Sequence, residues 1–363
     1  MGNPKNRVFV DVHVIQSLPP SCVNRDDTGS PKTAMYGGAR RARVSSQSWK
    51  HAIREMFKKY FSENELGERT KKIVEKVADQ ICSLSDISKE DAMTAAEKII
   101  NQAGVSTKNS EAKALFFMSS KQAENLARMA LIDPMPSKKE VQAALNAGKG
   151  VDIALFGRMV ADDPALNTDA SAQVAHAIST HKVENEYDYY TAMDDRSPED
   201  QAGAGMIGTI EFNSSTLYRY ATVAAHDLKV NLGDGNAAAK ATKEFVRAFV
   251  CSMPTGKQNT FANGTPPYAV MVAIRRDQPV NMAGAYETPV KAGEGGYQAK
   301  SAKALAEYAN IVYNSFFDTP LETLITSVGN ELTGLGEAVQ LTDLLDKTEQ
   351  LVSRLLQEDE VEA

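Results

Sequence analysis

Apolar and polar residues alternate through RVFVDVHVI, so Val8, Val10, Val12 and Val14 share one side of a predicted strand, with Phe9, Asp11 and His13 on the other. A polar loop rich in Pro, Gly, Asn and Asp follows, QSLPPSCVNRDDTGSPKTAMYGG. The period then changes. Trp49, Ile53, Met56, Phe57 and Tyr60 recur at helical spacing, which predicts a helix over about 46–60 with that face in the core. KKIVEKVADQI, KEDAMTAAEKII, KQAENLARMALI and SKKEVQAALNAG read as helices of an insertion over about 61–150 with its own small core.

Beyond the insertion, GVDIALFGRM reads as strand or buried chain and DASAQVAHAISTHKV as a helix. The texture of 184–212 predicts a long hairpin with a mobile tip: aromatic, then polar and Gly-rich, then alternating. STLYRYATV continues as strand, a helix is expected over about 236–252, and PYAVMVAIR is the clearest later strand. The remainder reads as helical, closing in a solvated acidic tail, EDEVEA. No internal repeat is present. Strands scattered among helices predict an α+β fold with one mixed or antiparallel sheet.

Composition narrows the function classes. The 363 residues carry 47 Asp and Glu against 40 Lys and Arg, so any nucleic-acid binding must come from local charge. No apolar run approaches the roughly 18 residues of a membrane helix, and no signal peptide precedes the first strand. Cys22, Cys82 and Cys251 are odd in number and far apart, which points to a reducing compartment, the cytosol. No cofactor is expected.

Two motifs carry little. GAGMIG at 203–208 matches G-x-G-x-x-G, with Asp227 about twenty residues on, but strand-like text follows it where a dinucleotide site needs a helix. His13, His51, His176, His181 and His226 form no metal constellation; His176 and His181 fall on different faces of the expected helix. Asp26 and Asp27 admit metal-assisted phosphodiester cleavage, or the commoner task of organising their own loop.

One stretch departs from the acidic background. Between Lys32 and Lys59 stand eight cations (Lys32, Arg40, Arg41, Arg43, Lys50, Arg54, Lys58, Lys59) and one acid, Glu55. Ser45 or Ser46 is placed to cap the following helix, and the N–H groups of a helix start favour anions. Gln47 adds a donor in the first turn. Lys50, Arg54 and Lys58, four apart, form one stripe, while Gly37 and Gly38 let the chain bend in front of it. Such a set grips phosphates without reading bases; the alternative is a solvated basic face. PTGKQNTF at 254–261 is a second polar loop with a lysine. Tyr189 and Tyr190 in the arm are placed either to meet base faces or to pack within the hairpin.

PSCVNRDDTGSPKTAMYGGARRARVSSQSWKHAIR, GVDIALFGRM, AHAISTHKVENEYDYYTAMDD, LYRYA and PTGKQNTFA, in that order, resemble the CasC-type backbone subunit of type I-E CRISPR Cascade, a branch of the RAMP superfamily. The resemblance implies a hand: an RRM-like (ferredoxin-like) palm from 1–60, 151–183 and 213–363, a helical fingers insertion over 61–150, and a β-hairpin thumb over 184–212. It implies copies head to tail along one crRNA, beside large, small, five-prime-end and endoribonuclease subunits. The guide would pair with target DNA that a recruited nuclease-helicase cuts.

Carried over by position, the crRNA grip falls on Arg25, Lys32, Arg40, Ser45, Gln47, Lys50, Arg54, Arg158, Lys257 and Gln258. The thumb wedge falls on Tyr189, Tyr190 and Thr191, with tyrosines where relatives carry a Trp-Phe pair, and Met159 would pack on the duplex. The resemblance implies no catalysis. The competing class is a type III-like backbone subunit that cleaves target RNA through Asp26 or Asp27.

Overall fold

The computed structural model describes residues 7–133, 136–192 and 206–361. The first strand, β1, runs Phe9–Ser21. Val8, Val10, Val12 and Val14 fill one hydrophobic core, as the alternation requires. Phe9, Asp11 and His13 on the other face are buried too, so the sheet is covered on both sides. Strands β2 (Thr33–Tyr36) and β3 (Ala39–Val44) form a tight hairpin through Gly37 and Gly38, whose φ values are 56° and 71°. Glycine is required at the first of these, since a Cβ on Gly37 would lie 1.6 Å from the Glu287 carbonyl oxygen. Helix α1 spans Ser46–Phe57 and buries Trp49, Ile53 and Phe57. Tyr60, expected inward, lies past the helix end and is exposed, with the Arg247 guanidinium over its ring.

The insertion holds β4 (Gly67–Thr70), α2 (Ile73–Leu84), α3 (Lys89–Ala103), β5 (Thr107–Lys108), β6 (Glu111–Ala112), β7 (Phe116–Ser119), α4 (Ser120–Ile132) and α5 (Lys138–Asn146). Ser88, Ser119 and Ser137 cap α3, α4 and α5, the last two in capping boxes with Gln122 and Glu140. Its helices close on a core of their own around Val77, Ile81, Ile100, Leu126 and Leu145, and Val160 and Leu166 join that core from beyond residue 150.

Two expected elements exchange character. VDIALF, expected as strand or buried chain, is buried but helical, α6 (Val151–Phe156), ended by Gly157 at φ 77°. A short apolar run cannot be told from a strand by periodicity. The expected helix around 170–183 is instead β8 (Ala172–Val174) and β9 (Ala177–Ser179). Pairing decides this: Val174 lies opposite Ala221, Ser179 opposite Leu217, and Ala177 opposite Val44. Ladder bonds and burial outweigh the weak helical propensity of an Ala-rich segment.

The chain continues through β10 (Glu186–Ala192), β11 (Met206–Ala224), α7 (Ala225–Leu232), α8 (Gly235–Cys251), α9 (Gln258–Phe261), β12 (Ala269–Arg275), α10 (Gln298–Ser315), β13 (Glu322–Ser327), β14 (Glu337–Ala338) and α11 (Leu341–Val361). The α+β fold is built on one sheet ordered β14-β13-β12-β1-β11-β9-β3-β2, with β8 and β10 also on β11. Among the described pairs only β13–β14 is parallel within this sheet. Helices α1, α8 and α11 cover one face through Trp49, Ile53, Phe245, Phe249 and Leu345. Helix α10 covers the other, with Tyr218, Met271, Tyr286 and Leu305 between.

The acidic end, expected as a solvated and disordered tail, is helical as far as Val361, and Glu358 in it is exposed. Gly203 and Gly205 of the glycine motif lie outside the described residues. Met206 opens a strand, so no helix begins on that motif. Cys22, Cys82 and Cys251 are free thiols. No helix among the described residues is long and apolar enough to cross a membrane.

Candidate nucleic-acid interface

The first loop is tied down by its own polar residues. Asp26 Oδ1 accepts from the backbone N–H groups of Thr28 (3.0 Å) and Ser30 (3.0 Å) and from the Thr28 hydroxyl (2.7 Å). These bonds, the Thr28 hydroxyl first, hold the Asp26 carboxyl below its ordinary range. Asn24 joins the loop to α1 by accepting the Ser45 N–H at 2.9 Å. Arg25 is exposed at its edge. No group of three or more potential metal ligands occurs among the described residues.

The cationic stretch divides in an unexpected way. Arg40 is exposed, with a long 3.3 Å bond to the Thr33 hydroxyl. Arg41, next to it, is fully buried and donates to the carbonyls of Tyr36, Ser179, Tyr286 and Glu287 at 2.8–3.2 Å. It is a structural arginine, and no phosphate reaches it. Lys32 and Arg43 stand half-buried beside His176; burial first, then these two cations, hold its imidazole below the ordinary value. His176 Nδ1 accepts the Ser46 N–H at 3.0 Å.

Ser45 occupies the cap position of α1 without capping it. Its hydroxyl donates to Gln47 Oε1 at 3.1 Å, and the residue is buried. The helix start therefore presents Gln47, which is exposed, and not the Ser45 hydroxyl.

Along the stripe, Lys58 pairs with Glu55 at 2.7 Å. Arg54 Nε donates to Asp152 Oδ2 at 3.0 Å and its Nη2 to the Gly67 carbonyl at 3.3 Å. Asp152 is buried, and desolvation raises its pKa despite Arg54 and the Gly67 N–H. Removing one partner of such a pair leaves a stranded charge, so Arg54 serves first as the bolt between α1 and the insertion. Lys50 differs. Among the described residues it makes no ion pair, and its ammonium lies 5.7 Å from the Phe156 ring centroid.

The second loop closes on the first. A Cβ on Gly256 would sit 2.1 Å from the Val23 carbonyl oxygen, so only glycine allows the two backbones to touch. Lys257 follows at φ 51°, a left-handed conformation unusual for a side-chain-bearing residue. Lys257 and Arg25 both pull down the Cys22 thiol, against the larger upward effect of burial, so both cations lie near it. Between the loops and α1 runs a groove of about 1320 Å³, lined by Arg25, Asp27, His51, Lys59 and Gln258 among others.

The arm is a hairpin in register Tyr189↔Thr209 and Tyr190↔Gly208. Every residue of β10 is exposed. Tyr190 packs across its partner, for a Cβ on Gly208 would fall 2.5 Å from its ring. Tyr189 and Tyr187, on the opposite face, are 63% and 70% exposed, and Thr191 points outward with them in sequence phase. At the arm's base Phe212 meets Phe261 at 5.8 Å between ring centroids, linking hairpin and second loop.

Arg158 and Met159 have opposite fates. Arg158 pairs with Thr168 in a short bridge and turns inward, where it donates to the carbonyls of Leu166 (3.0 Å) and Phe117 (3.2 Å) and to Asn146 (3.1 Å). Desolvation alone lowers its pKa to about 10. The expected phosphate contact at Arg158 does not fit that burial. Met159 is 86% exposed.

A family model described as CT1975-like protein matches residues 10–353. The chain belongs to the CT1975-like family. Two solved chains are similar to this CT1975-like chain. One, from a CRISPR RNA-guided surveillance complex, pre-nicking, is 32% identical over 95% of this chain and 100% of its own, with a TM-score of 0.83. The other, from a CRISPR RNA-guided surveillance complex, is 28% identical over 93% of this chain and 99% of its own, with a TM-score of 0.70. No curated protein matches.

Sequence reasoning left three residues beside this candidate site of the CT1975-like chain without a role. Asn24 and His176 fix the start of α1, and their signal lies only in long-range pairing. Arg69 stands opposite Phe117 in the β4–β7 ladder, and its neighbourhood on α1 is invisible in the linear chain.

Proposed function

We propose that this chain is a repeated backbone subunit of a type I-E-like CRISPR surveillance complex that holds crRNA by its sugar-phosphate backbone. The observation that carries the reading is the match along nearly the whole chain to a chain of a CRISPR RNA-guided surveillance complex, at 32% identity. The geometry agrees with it. Arg25, Lys32, Arg40, Gln47, Lys50, Lys257 and Gln258 border the loops and the start of α1, cations and amides suited to phosphates and 2′-OH groups. A subunit that serves any guide must leave base edges to pairing. The order β12-β1-β11 with α1 and α8 on one face supports an RRM-like palm.

In this reading the arm reaches a neighbouring copy in a head-to-tail array. Tyr189 is the ring free to stack on a base, since Tyr190 covers Gly208. Met159 offers an apolar contact to the guide–target duplex, and other subunits and a recruited nuclease-helicase complete the assembly. The chain itself holds RNA without cutting it. Asp26 already accepts three hydrogen bonds on Oδ1, the loop-organising use of such a residue.

Lys50→Ala tests the grip. It should weaken binding of unrelated guide RNAs equally and shrink the log–log salt slope by about 0.7. A changed preference between guides with an unchanged slope would refute backbone recognition. Metal-dependent RNA cuts that vanish in Asp26→Ala or Asp27→Ala would favour the type III-like reading instead.

A further inference from the structure

We propose that Arg69 is a further guide-binding residue, forming with Lys50 a phosphodiester subsite where the helical insertion meets α1; this rests on the crRNA-backbone reading above. Arg69 is exposed on β4 directly opposite Phe117 of β7. Its guanidinium carbon lies 4.9 Å from the Phe117 ring centroid, and that of Arg54 lies 4.6 Å from the same ring. The ring is buried and holds both planar cations in place.

The charges around this junction are mostly spoken for. Arg54 is neutralised by Asp152, Lys58 by Glu55, and Lys76 by Glu68 at 3.1 Å. Among the described residues Arg69 makes no hydrogen bond or ion pair, and neither does Lys50. They are nonetheless neighbours: Lys50 stands one helical turn before Arg54, which shares the Phe117 ring with Arg69, and after burial Arg69 is the charge that holds the Lys50 ammonium below its ordinary value. Each stands over a different aromatic ring without an ion pair, Asp152 acting on Arg69 only at longer range, and the two cations repel one another until an anion bridges them. A cleft of about 580 Å³, lined by Arg69, Arg54, Lys58 and Ser120 among others, lies at this junction and admits one. Four acids also line it; Asp152, Glu55 and Glu68 are held by Arg54, Lys58 and Lys76, so Glu63 is the one acid there without an ion pair among the described residues. A phosphodiester matches the pair, its two free oxygens taking an ammonium and a fork of N–H donors. The insertion would then hold the guide together with the palm.

The test uses the full chain and two fluorescent guide RNAs of unrelated spacer sequence. Arg69→Ala should weaken both equally, about three- to tenfold, and cut the salt slope by about 0.7. Its melting temperature should not fall, because the residue is exposed and its loss relieves repulsion. Arg69→Gln guards against a folding artefact and should behave alike, and Arg69→Lys should recover the slope. In the double variant with Lys50→Ala the losses should be less than additive, as for groups sharing one phosphate. If Lys50→Ala weakens binding while Arg69→Ala leaves affinity and slope unchanged, the subsite is wrong and the palm grip stands. Loss of both effects would overturn the grip itself. If Arg69→Ala spares guide binding but slows annealing of complementary DNA to the bound guide, the phosphate belongs to the DNA and the assignment to the guide fails.

Discussion

Strand β11 passes through two environments. From Leu217 to Val223 it lies between β1 and the short strands β8 and β9, with Leu217 and Ala221 buried in one core and Tyr218 and Tyr220 in the other. From Met206 to Phe212 it pairs with β10, whose residues are all exposed. The backbone ladder is the same in both halves. What differs is the second layer: one half is sandwiched between helices and the other has water on both faces. An isolated two-stranded hairpin is marginal in water, so the arm is held out by the continuity of β11 into the core. The buried half supplies stability, and the exposed half is left to solvent.

The sharpest break of this comparison is Leu217→Ala, in the buried half. It should lower stability by about 2–5 kcal/mol in denaturant unfolding, since the surrounding core cannot collapse fully into the space. A loss no larger than that of an exposed arm residue would erase the contrast.

Next comes a pH effect in the same half. Asp11 receives the Tyr220 hydroxyl at 2.9 Å and the Val280 N–H at 2.9 Å, yet burial raises its pKa from 3.8 to about 6. A raised carboxyl keeps its proton in the folded state while the unfolded chain releases it. The associated stability is present below about pH 4 and is lost as pH rises through about 6. The swing is at most about 3 kcal/mol. Asp11→Asn should flatten the difference between unfolding curves taken across that window, and identical pH dependence in both proteins would count against it.

The smallest effect on stability belongs to the arm. Joining Ala192 to Ile207 by a tight turn should change stability by less than about 0.5 kcal/mol and leave short-RNA binding intact. The same protein should fail to form a regular array on a full guide, with periodic nuclease protection lost. Unfolding would make the arm a core element, and normal assembly would remove its proposed role.

Local patterning made much of this molecule legible. The alternation at Val8–Val14, the helical period of Trp49, Ile53 and Phe57, the separate core of the insertion and the arm's pairing all follow from side-chain periodicity. The errors fell where periodicity is silent. VDIALF is too short to declare its period, and the Ala-rich segment around 170–183 became strand because β11 and β3 offered it ladders.

The sequence by itself determined where charge concentrates and which residue types are there to bind. Tertiary structure decided what each charge does. Arg41 and Arg158 vanish into nests of carbonyl oxygens, while Arg40 and Met159, one residue away, face outward. Arg54 is claimed by Asp152, 98 positions along the chain, and Lys50, on the same stripe, is left free. A guanidinium is stable in the interior only where several acceptors converge on it. That convergence is made by segments far apart in sequence, and no local pattern of residues encodes it.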